Sequence, residues 1–576
     1  MKRFRMLMLL SASCFLVPGL CWADDELNRQ GFALAKQYCY QCHNGSEFFD
    51  ITDNVAMIED GYLAKTDGNT IDLDESEVWQ RLSNSTMPPE GQPAPTAEEK
   101  ELLRKWFVAG AEKPKRTKRS FVSETAVLKS LLEDLKSIQE IDRQYQRYFT
   151  LTHLYNNNEQ VSDFEMRLYR AALSKAVNSL SWEPELVIPR AINEEQTLFR
   201  VDLRDIGWDK RTLWREILKL YPYGMTQTHH PDTATKETFL QIEKLSGTPV
   251  PAIRGDWFAV RATRPPLYHT LLEIPSTDQE LEKKLGVDFL NDFQRNRIRR
   301  AGFAESGVST ANRLLDRHPA RIGKYYWKSY DFKKDNSRAN LFQFPLGPNF
   351  SDNPFSDFAF SHDGGEQIFG LPNGLQGYML IDNAGNRIDK GPIEVVRDRN
   401  ETAGSPEVVN GISCMACHAH GMRQFKDTVR LAMGVFGEAK EKSLELFVAQ
   451  EEMDKLVAQD EARFMAALQD TIGTFLQAEE DRERRLRDFA EPITAIAAIY
   501  ERDMNLTMAA YELGMENADE LKSAIRFNPE LKTLGLGALE QGASIQRDHW
   551  EDLRQINSPM QKAARILDRG EPYRAF

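Results

Sequence analysis

The stretches Cys39-Tyr40-Gln41-Cys42-His43 and Cys414-Met415-Ala416-Cys417-His418 decide how this chain is organised. Each is a C-x-x-C-H motif. Two thiols on one helical turn can add to the two vinyl groups of a single haem, and the histidine that follows then lies under the iron as its proximal ligand. The sequence therefore predicts two covalently attached c-type haems, one ligated by His43 and one by His418.

Two other interpretations of a paired-cysteine motif are a zinc half-site and a thioredoxin-like redox pair. A zinc site needs a second pair of Cys or His residues nearby, and neither motif has one close to it in the sequence. A redox pair would leave the adjacent histidine without a role in both motifs. Haem attachment is therefore favoured over both.

Residues 1–23 have the pattern of a secretory signal peptide. Three basic residues precede an apolar run over 6–20, and cleavage is expected near Ala23. That run is too short to span a bilayer, and no later stretch is apolar for long enough. We therefore expect a soluble, periplasmic or secreted mature chain without a transmembrane segment. A lipoprotein site at Cys21 is an alternative, although Leu20 before it fits poorly.

The mature chain would be strongly acidic. Removal of the signal peptide leaves 70 basic against 87 acidic residues, a net charge of about −17. This argues against nucleic acid or an anionic membrane as a partner and suits a basic redox protein, either soluble or associated with a membrane. Because Cys14 and Cys21 leave with the signal peptide, the four remaining cysteines all belong to the two motifs, and no disulfide framework is expected.

Local patterns predict mostly helices, with strands in the middle of the chain. Helices are expected over 28–36, after Thr96 with Glu99 as a capping box, over 127–148, 162–180, 208–220 and 278–300, and repeatedly over 425–566 with a new start at Pro492. Strands are expected over 198–203, 342–344 and 368–388, the last folded at the turn Asp382-Asn383-Ala384-Gly385.

Residues 24–113 closely resemble the class I cytochrome c fold, in particular its short planctomycete-type variety. The resemblance covers the whole segment and rests on the Cys39 motif, Trp79, the loop Thr86-Met87-Pro88-Pro89 and the closing helix with Trp106. It implies that Cys39 and Cys42 hold the haem, with His43 as proximal and Met87 as distal ligand. A thioether ligand closes the sixth position of the iron and raises its potential, which suits electron transfer. Met87 could instead be a gap-filling core residue, but the two prolines favour the ligand.

The remainder resembles uncharacterised bacterial cytochrome-domain proteins of similar layout, through residues 373–378 and 410–414, and this layout implies no assigned chemistry. The fold class is therefore expected to be mainly α with an α+β middle domain. We expect a signal peptide at 1–23, a cytochrome c domain at 24–113, a basic linker and helical segment at 114–187, an α+β domain at 188–409, and the second haem segment with a C-terminal helical domain at 410–576.

The distal ligand of the second haem is less clear, because no Met-Pro-Pro loop follows that motif. His362 is the first candidate, since it lies between aromatic residues and Gly364-Gly365, which would let the backbone approach a flat ring. A turn histidine bonded to Asp363 is the alternative, and His269 is the next candidate. Methionines on helix stripes are explained by core packing. Haem propionates could pair with Arg387, Arg397, Arg399 and Arg423.

Three functions follow from these patterns. The first is a periplasmic di-haem cytochrome that carries electrons between redox partners. The second is a peroxidase- or oxidase-like enzyme with an open second haem, fed by the first. The third is a haem-based redox or gas sensor. The distal ligand of the second haem distinguishes the first two, and no catalytic residue can be assigned from the sequence.

Overall fold

This computed structural model describes residues 19–40, 43, 49–66, 70–89, 94–112, 119–209, 212–304, 309–399 and 401–576. The chain divides into two compact units, Met1–Lys118 and Arg119–Phe576. Helix accounts for 44% and strand for 13%, so this is a mixed structure in which helix predominates. Among the described helices, none combines the length and the apolar character needed to cross a membrane. The basic linker expected at the start of the 114–187 segment lies mostly outside the described residues, which leave out 113–118.

Two packed helices frame the first unit. Its elements are α1 (Gly19–Tyr38), α2 (Asn54–Glu59), β1 (Ala64–Lys65), β2 (Ile71–Asp72), α3 (Glu77–Ser83) and α4 (Ala97–Val108). Helix α1 contains the predicted helix over 28–36 but is longer, and it spans the expected cleavage position at Ala23. It packs on α4 at Gly31, where an added Cβ would come within 2.3 Å of Trp106 Cβ. Trp106 is fully buried there.

The predicted capping box at the start of α4 is confirmed. Thr96 Oγ1 accepts the Glu99 N–H at 3.2 Å, and Glu99 Oε2 accepts the Thr96 N–H at 2.7 Å. Tyr38, the last residue of α1, donates its hydroxyl to the same Glu99 oxygen at 3.0 Å. The box therefore also holds the end of α1, directly before Cys39.

We expect Thr96→Ala to lower the free energy of unfolding of the first unit by about 1 kcal/mol, the usual cost of losing an N-cap hydroxyl. Urea unfolding of the full chain, followed through the near-ultraviolet signal of the first unit, measures this loss. Thr96→Ser keeps the hydroxyl and should change little; equal losses in both variants would contradict the assignment.

The second unit is built mainly from helices. They are α5 (Glu124–Ser137), α6 (Thr152–Asn156), α7 (Asp163–Ser179), α8 (Leu213–Lys219), α9 (Thr233–Ser246), α10 (Gly255–Arg261), α11 (Leu267–Leu271), α12 (Asp278–Leu285), α13 (Phe289–Gln294), α14 (Ile412–Cys417), α15 (Glu438–Leu446), α16 (Gln450–Leu476), α17 (Pro492–Tyr500), α18 (Leu506–Glu512), α19 (Ala518–Phe527), α20 (Pro529–Leu531), α21 (Gly537–Glu540), α22 (Arg547–Trp550) and α23 (Pro559–Ile566).

Strands occupy mainly the middle of this unit. They are β3 (Gln146–Thr150), β4 (Arg190–Ala191), β5 (Leu198–Asp202), β6 (Met225–Thr226), β7 (Ala252–Arg254), β8 (Arg299–Phe303), β9 (Arg313–Pro319), β10 (Tyr325–Asp331), β11 (Gly364–Gly370), β12 (Gln376–Asp382), β13 (Arg387–Ile388), β14 (Lys390–Gly391), β15 (Val408–Val409) and β16 (Glu571–Pro572).

A six-stranded antiparallel sheet organises the middle of the second unit. Its order β13-β12-β11-β10-β9-β8 is that of a meander, with each strand beside its neighbours in sequence. The predicted hairpin over 368–388 is confirmed, and it forms the β11–β12–β13 edge. The central strands β9 and β10 were not predicted. A second sheet, β4-β5-β3-β7, includes one parallel pair, β3 with β7.

Two predicted elements are wrong. The helix expected over 127–148 ends at Ser137, and its last residues belong instead to β3. Ile141, part of the apparent apolar stripe, is 71% exposed. The strand expected over 342–344 is a turn, in which the Asn340 side chain accepts the Phe342 N–H at 3.0 Å and so replaces a strand partner.

One large hydrophobic core joins the sheet to the helices, and its members come from positions as far apart as Phe149 and Ala575. Helix α7 lies at its centre and packs on both α16 and α17. The predicted helix starts at Ser162 and Pro492 are confirmed: Ser162 forms a capping box with Glu165, and Pro492 occupies the first turn of α17. The core thus fixes the C-terminal helices against the sheet.

Candidate functional site

Helix α14 carries the two cysteines of the second C-x-x-C-H motif. At its start, the backbone of Gly411 lies very close to the backbone of Thr263. Gly411, just before α14, has φ +87°, and an added Cβ would lie 2.4 Å from the Thr263 carbonyl oxygen. A side chain is therefore excluded there by both backbone conformation and space. Ser413 strengthens the anchor, since its hydroxyl donates to Asp398 Oδ2 at 3.0 Å and accepts the Val409 N–H at 3.1 Å.

A cavity of about 1070 Å³ lies between this helix and one face of the six-stranded sheet. Cys414, Cys417 and His418 all line it. On β9 and β10 alternate residues line the cavity, as the two-residue period of a strand requires, whereas β11 and β12 also contribute the consecutive residues 364–366 and 380–382. The C-x-x-C-H motif thus opens onto a space large enough for a sizeable planar group, above the usual range for small-ligand pockets.

The two cysteines of this motif are free thiols, and their surroundings disfavour the ionised thiolate form. Burial raises the pKa of Cys414 well above its usual range and that of Cys417 to about 11, with the negative charge of Glu366 adding to both. A redox-active cysteine pair requires a lowered thiol pKa. The environment is therefore unlike that of a thioredoxin-type pair, whereas thioether bonds carry no such requirement.

His418 is oriented as a metal ligand would be. Its Nδ1 lies 3.1 Å from the Gly421 carbonyl oxygen and donates its N–H to it, so Nε2 is the ring nitrogen that faces the cavity. Such a second-shell bond commonly fixes the ring and tautomer of a ligating histidine. The ring also stacks on Tyr378 with centroids 6.1 Å apart. Nε2 faces Glu366 Oε2 at 3.7 Å.

Glu366 is a buried carboxylate on β11 that lines the cavity from the sheet side. Burial alone would raise its pKa, but hydrogen bonding to His418 and the charges of His418 and Arg313 lower it to about 2. Arg313 in turn is paired with Asp331 at 2.5 Å. The sheet wall therefore carries a fixed group of charges opposite the motif.

The residues around this cavity fit a covalently bound haem. Its walls are apolar where a porphyrin needs them, at Leu315, Ile368 and Leu380 among others, and cationic side chains suited to propionates lie on it at Lys390, Arg423 and Lys426. Of the four arginines expected near propionates, only Arg423 lines this cavity. Arg397 and Arg399 line a smaller neighbouring one, and Arg387 donates to the carbonyls of Ile274 and Pro275.

The structure does not place His362 beside His418. His362 does not line the cavity, although its neighbours Gly364 and Gly365 do. Its Nδ1 donates to the Gly364 carbonyl at 3.0 Å, and its ring meets Tyr330 edge-on, with centroids 5.0 Å apart. His362 is therefore a turn histidine, as the alternative interpretation proposed. Its hydrogen-bond partner, however, is Gly364 and not Asp363.

The other candidate ligands also have structural roles. His269 lies outside the cavity, where the Asn410 side chain donates to its Nε2 at 2.7 Å. Burial and the charge of Arg387 lower the pKa of His269 to about 4. Of the candidate methionines, only Met422 lines the cavity. The remaining ones lie in or against hydrophobic cores, namely Met433, Met453, Met465, Met504, Met508 and Met515.

In the first unit, α1 ends directly before Cys39, and the His43 N–H donates to the Cys39 carbonyl at 2.9 Å. Cys42 lies outside the described residues. Arg81, on α3, is close enough to His43 for its charge, after burial, to lower the pKa of the ring. The carbonyl of Arg81 also accepts the Met87 N–H at 3.1 Å. His43 and the Met87 loop therefore lie near the same residue.

Sequence reasoning missed Glu366, Arg313 and Asp331. The only available signal was a Gly-Gly pair followed by a charged residue inside a strand pattern, which marks close backbone approach but not a ligand site. Within the described part of the chain, no group of three or more His, Cys, Asp or Glu side chains is arranged to hold a bare metal ion. No protein-family model, curated protein or solved structure matches this chain.

Proposed function

We propose that this protein is a periplasmic di-haem c-type cytochrome that carries electrons between redox partners. The observation that supports it most is at the second motif, where Cys414, Cys417 and His418 line one cavity of about 1070 Å³ and His418 Nε2 faces across it. The first motif repeats the same residues, in a segment that resembles class I cytochrome c. When bound, each haem iron would take up and release one electron.

Each residue of the two motifs then has a defined task. Cys39, Cys42, Cys414 and Cys417 hold the porphyrins as thioethers, and His43 and His418 bind the irons. Gly421 keeps the lone pair of His418 directed into the cavity. Met87 would bind the first iron from the loop that follows α3. The acidic surface would recognise a soluble or membrane-associated redox protein with basic residues around its own cofactor.

A potentiometric titration of the purified protein tests this proposal, with two one-electron steps expected in the visible bands. Met87→Ala should move one step to lower potential and remove the sulfur-to-iron band, because the thioether ligand favours reduced iron. The second step should stay in place. Met57→Leu, which alters a fully buried methionine of the same unit, is the matched control and should leave both steps unchanged. An unaltered spectrum in Met87→Ala would contradict the assignment of Met87 as the distal ligand of the first haem.

A second candidate function is a haem enzyme working at the second site. One observation favours it: the wall opposite His418 presents Glu366, Arg313 and Asp331 instead of a histidine or methionine. An iron without a strong distal ligand can bind peroxide, oxygen or another small molecule. Steady consumption of hydrogen peroxide in the presence of a reduced electron donor would favour this function. If no peroxide is consumed, the electron-transfer function is favoured instead.

A further inference from the structure

We propose that Glu366 is the residue that faces the iron of the second haem from the side opposite His418. This rests on the proposed function and deepens it, because it assigns the distal group that the sequence left open. The assignment comes from the sheet face, where residues of β9 to β12 form the cavity wall across from α14. Glu366 is the carboxylate of that wall in direct contact with the motif.

The facing atoms support this assignment. His418 donates through Nδ1 to the Gly421 carbonyl, so Nε2 is the ring nitrogen left to bind a metal. Glu366 Oε2 lies 3.7 Å from that nitrogen, across the gap between α14 and the sheet. Metal bonds to imidazole and carboxylate are each about 2.0–2.2 Å, so a metal held by both would separate them by roughly 4 Å.

The surroundings fix the backbone of Glu366 and leave its carboxylate in contact with the second motif. Its backbone N–H donates to Ser329 Oγ at 2.8 Å, which fixes the residue to β10. Arg313, whose charge acts on Glu366, is paired directly with Asp331. The thiol of Cys414 is the other hydrogen-bond partner of the carboxylate. Addition of the thiol across a haem vinyl group would bond the sulfur to one vinyl carbon and move its hydrogen to the other, so haem attachment removes this donor and leaves the carboxylate to face the iron.

This arrangement has a spectroscopic consequence. A carboxylate is a weaker-field ligand than imidazole or thioether and stabilises ferric over ferrous iron through its charge. The oxidised second haem should therefore give a high-spin electron paramagnetic resonance signal beside the low-spin signal of the first haem. Two low-spin signals in the unaltered protein would overturn the assignment, whatever the variants do.

The decisive variant is Glu366→Gln, which keeps the shape and removes the charge. We expect the midpoint potential of the second haem to rise and its ferric signal to change, with the first haem unaltered. Glu366→Asp, which retains the charge, should restore part of both properties. Asp335→Asn is the matched control, because it neutralises another carboxylate that lines the same cavity, one that accepts the Asn312 N–H at 2.8 Å. His362→Ala should leave both haems unchanged.

Two outcomes contradict the assignment. Equal shifts in Glu366→Gln and Asp335→Asn would show a general effect of cavity charge, and an altered spin state in His362→Ala would return the distal role to that histidine. Covalent haem content is measured on every preparation. Two haems per chain with unchanged signals in Glu366→Gln refute this inference alone, whereas unaltered protein that lacks the second haem refutes the proposed function.

Discussion

Replacing both Cys414 and Cys417 with alanine should abolish attachment of the second haem and leave one haem per chain. Both thiols line the cavity, and each is expected to form one thioether, so without them the porphyrin has only the bond from His418. The loss should also lower the thermal midpoint of the second unit, because the apolar walls of a 1070 Å³ cavity would then lose their contacts. Covalent haem staining and the reduced visible spectrum measure the loss.

The reciprocal variant, with Cys39 and Cys42 both replaced by alanine, is the matched control. It should remove the other haem, with the sulfur-to-iron band, and leave the thermal midpoint of the second unit unchanged. The visible spectra of the two variants should differ from each other, and their sum should equal the spectrum of the unaltered protein. Unchanged haem content in the Cys414 and Cys417 variant would contradict the account of the cavity.

Asp316→Ala should destabilise the second unit by about 3–5 kcal/mol, the cost of leaving a buried charge without its partner. Arg300 and Asp316 face each other across β8 and β9, both fully buried, with two N–O distances of 2.6 Å. Arg300 also donates to the carbonyls of Pro345 and Gly347, so it cannot turn away to solvent. Removing the carboxylate would leave the Arg300 guanidinium buried without its ionic partner.

Urea unfolding followed by circular dichroism measures this effect. Asp552→Ala, which breaks the exposed pair with Arg554 in the same unit, is the control and should not move the midpoint measurably. If Asp316→Ala unfolds no more readily than Asp552→Ala, the buried pair does not stabilise the sheet, and the interpretation of its interior charges is wrong.

The capping box at Thr96 and the turn after Asp382 could be predicted from the sequence, because short-range hydrogen bonds decide the backbone there. The helix start at Ser162 could be predicted as well, although its capping box with Glu165 was not. In these places the side chain and its partner are neighbours in sequence. The haem chemistry of the two motifs stays a prediction.

The central strands could not be predicted in the same way. Strand β9 contains Arg313, Asp316 and His318, which are buried because each is hydrogen-bonded to a side chain from elsewhere in the chain. Because these polar residues are buried together with their partners, β9 lacks the alternation of apolar and polar residues on which strand prediction depends. Strand β10 is buried along its whole length and shows no alternation either.

The distal side of the second haem site could not be predicted for a related reason. Glu366 and His418 meet only because the meander places β11 across from α14, and that placement is a property of the assembled sheet. His362 was favoured from its local sequence, but in the structure the residue four positions later faces the cavity. His362 lies in the turn before β11 whereas Glu366 lies within that strand, and the sequence does not show where the strand begins.

The most direct test of the central claim is the intact mass of the purified, denatured chain, measured together with its reduced visible spectrum. The account predicts one species that carries the mass of two haems, which survive denaturation because thioether bonds hold them. Peptide mapping should place one haem on the peptide with Cys39 and Cys42 and the other on the peptide with Cys414 and Cys417. A chain of haem-free mass, obtained from cells able to attach c-type haem, would contradict the account.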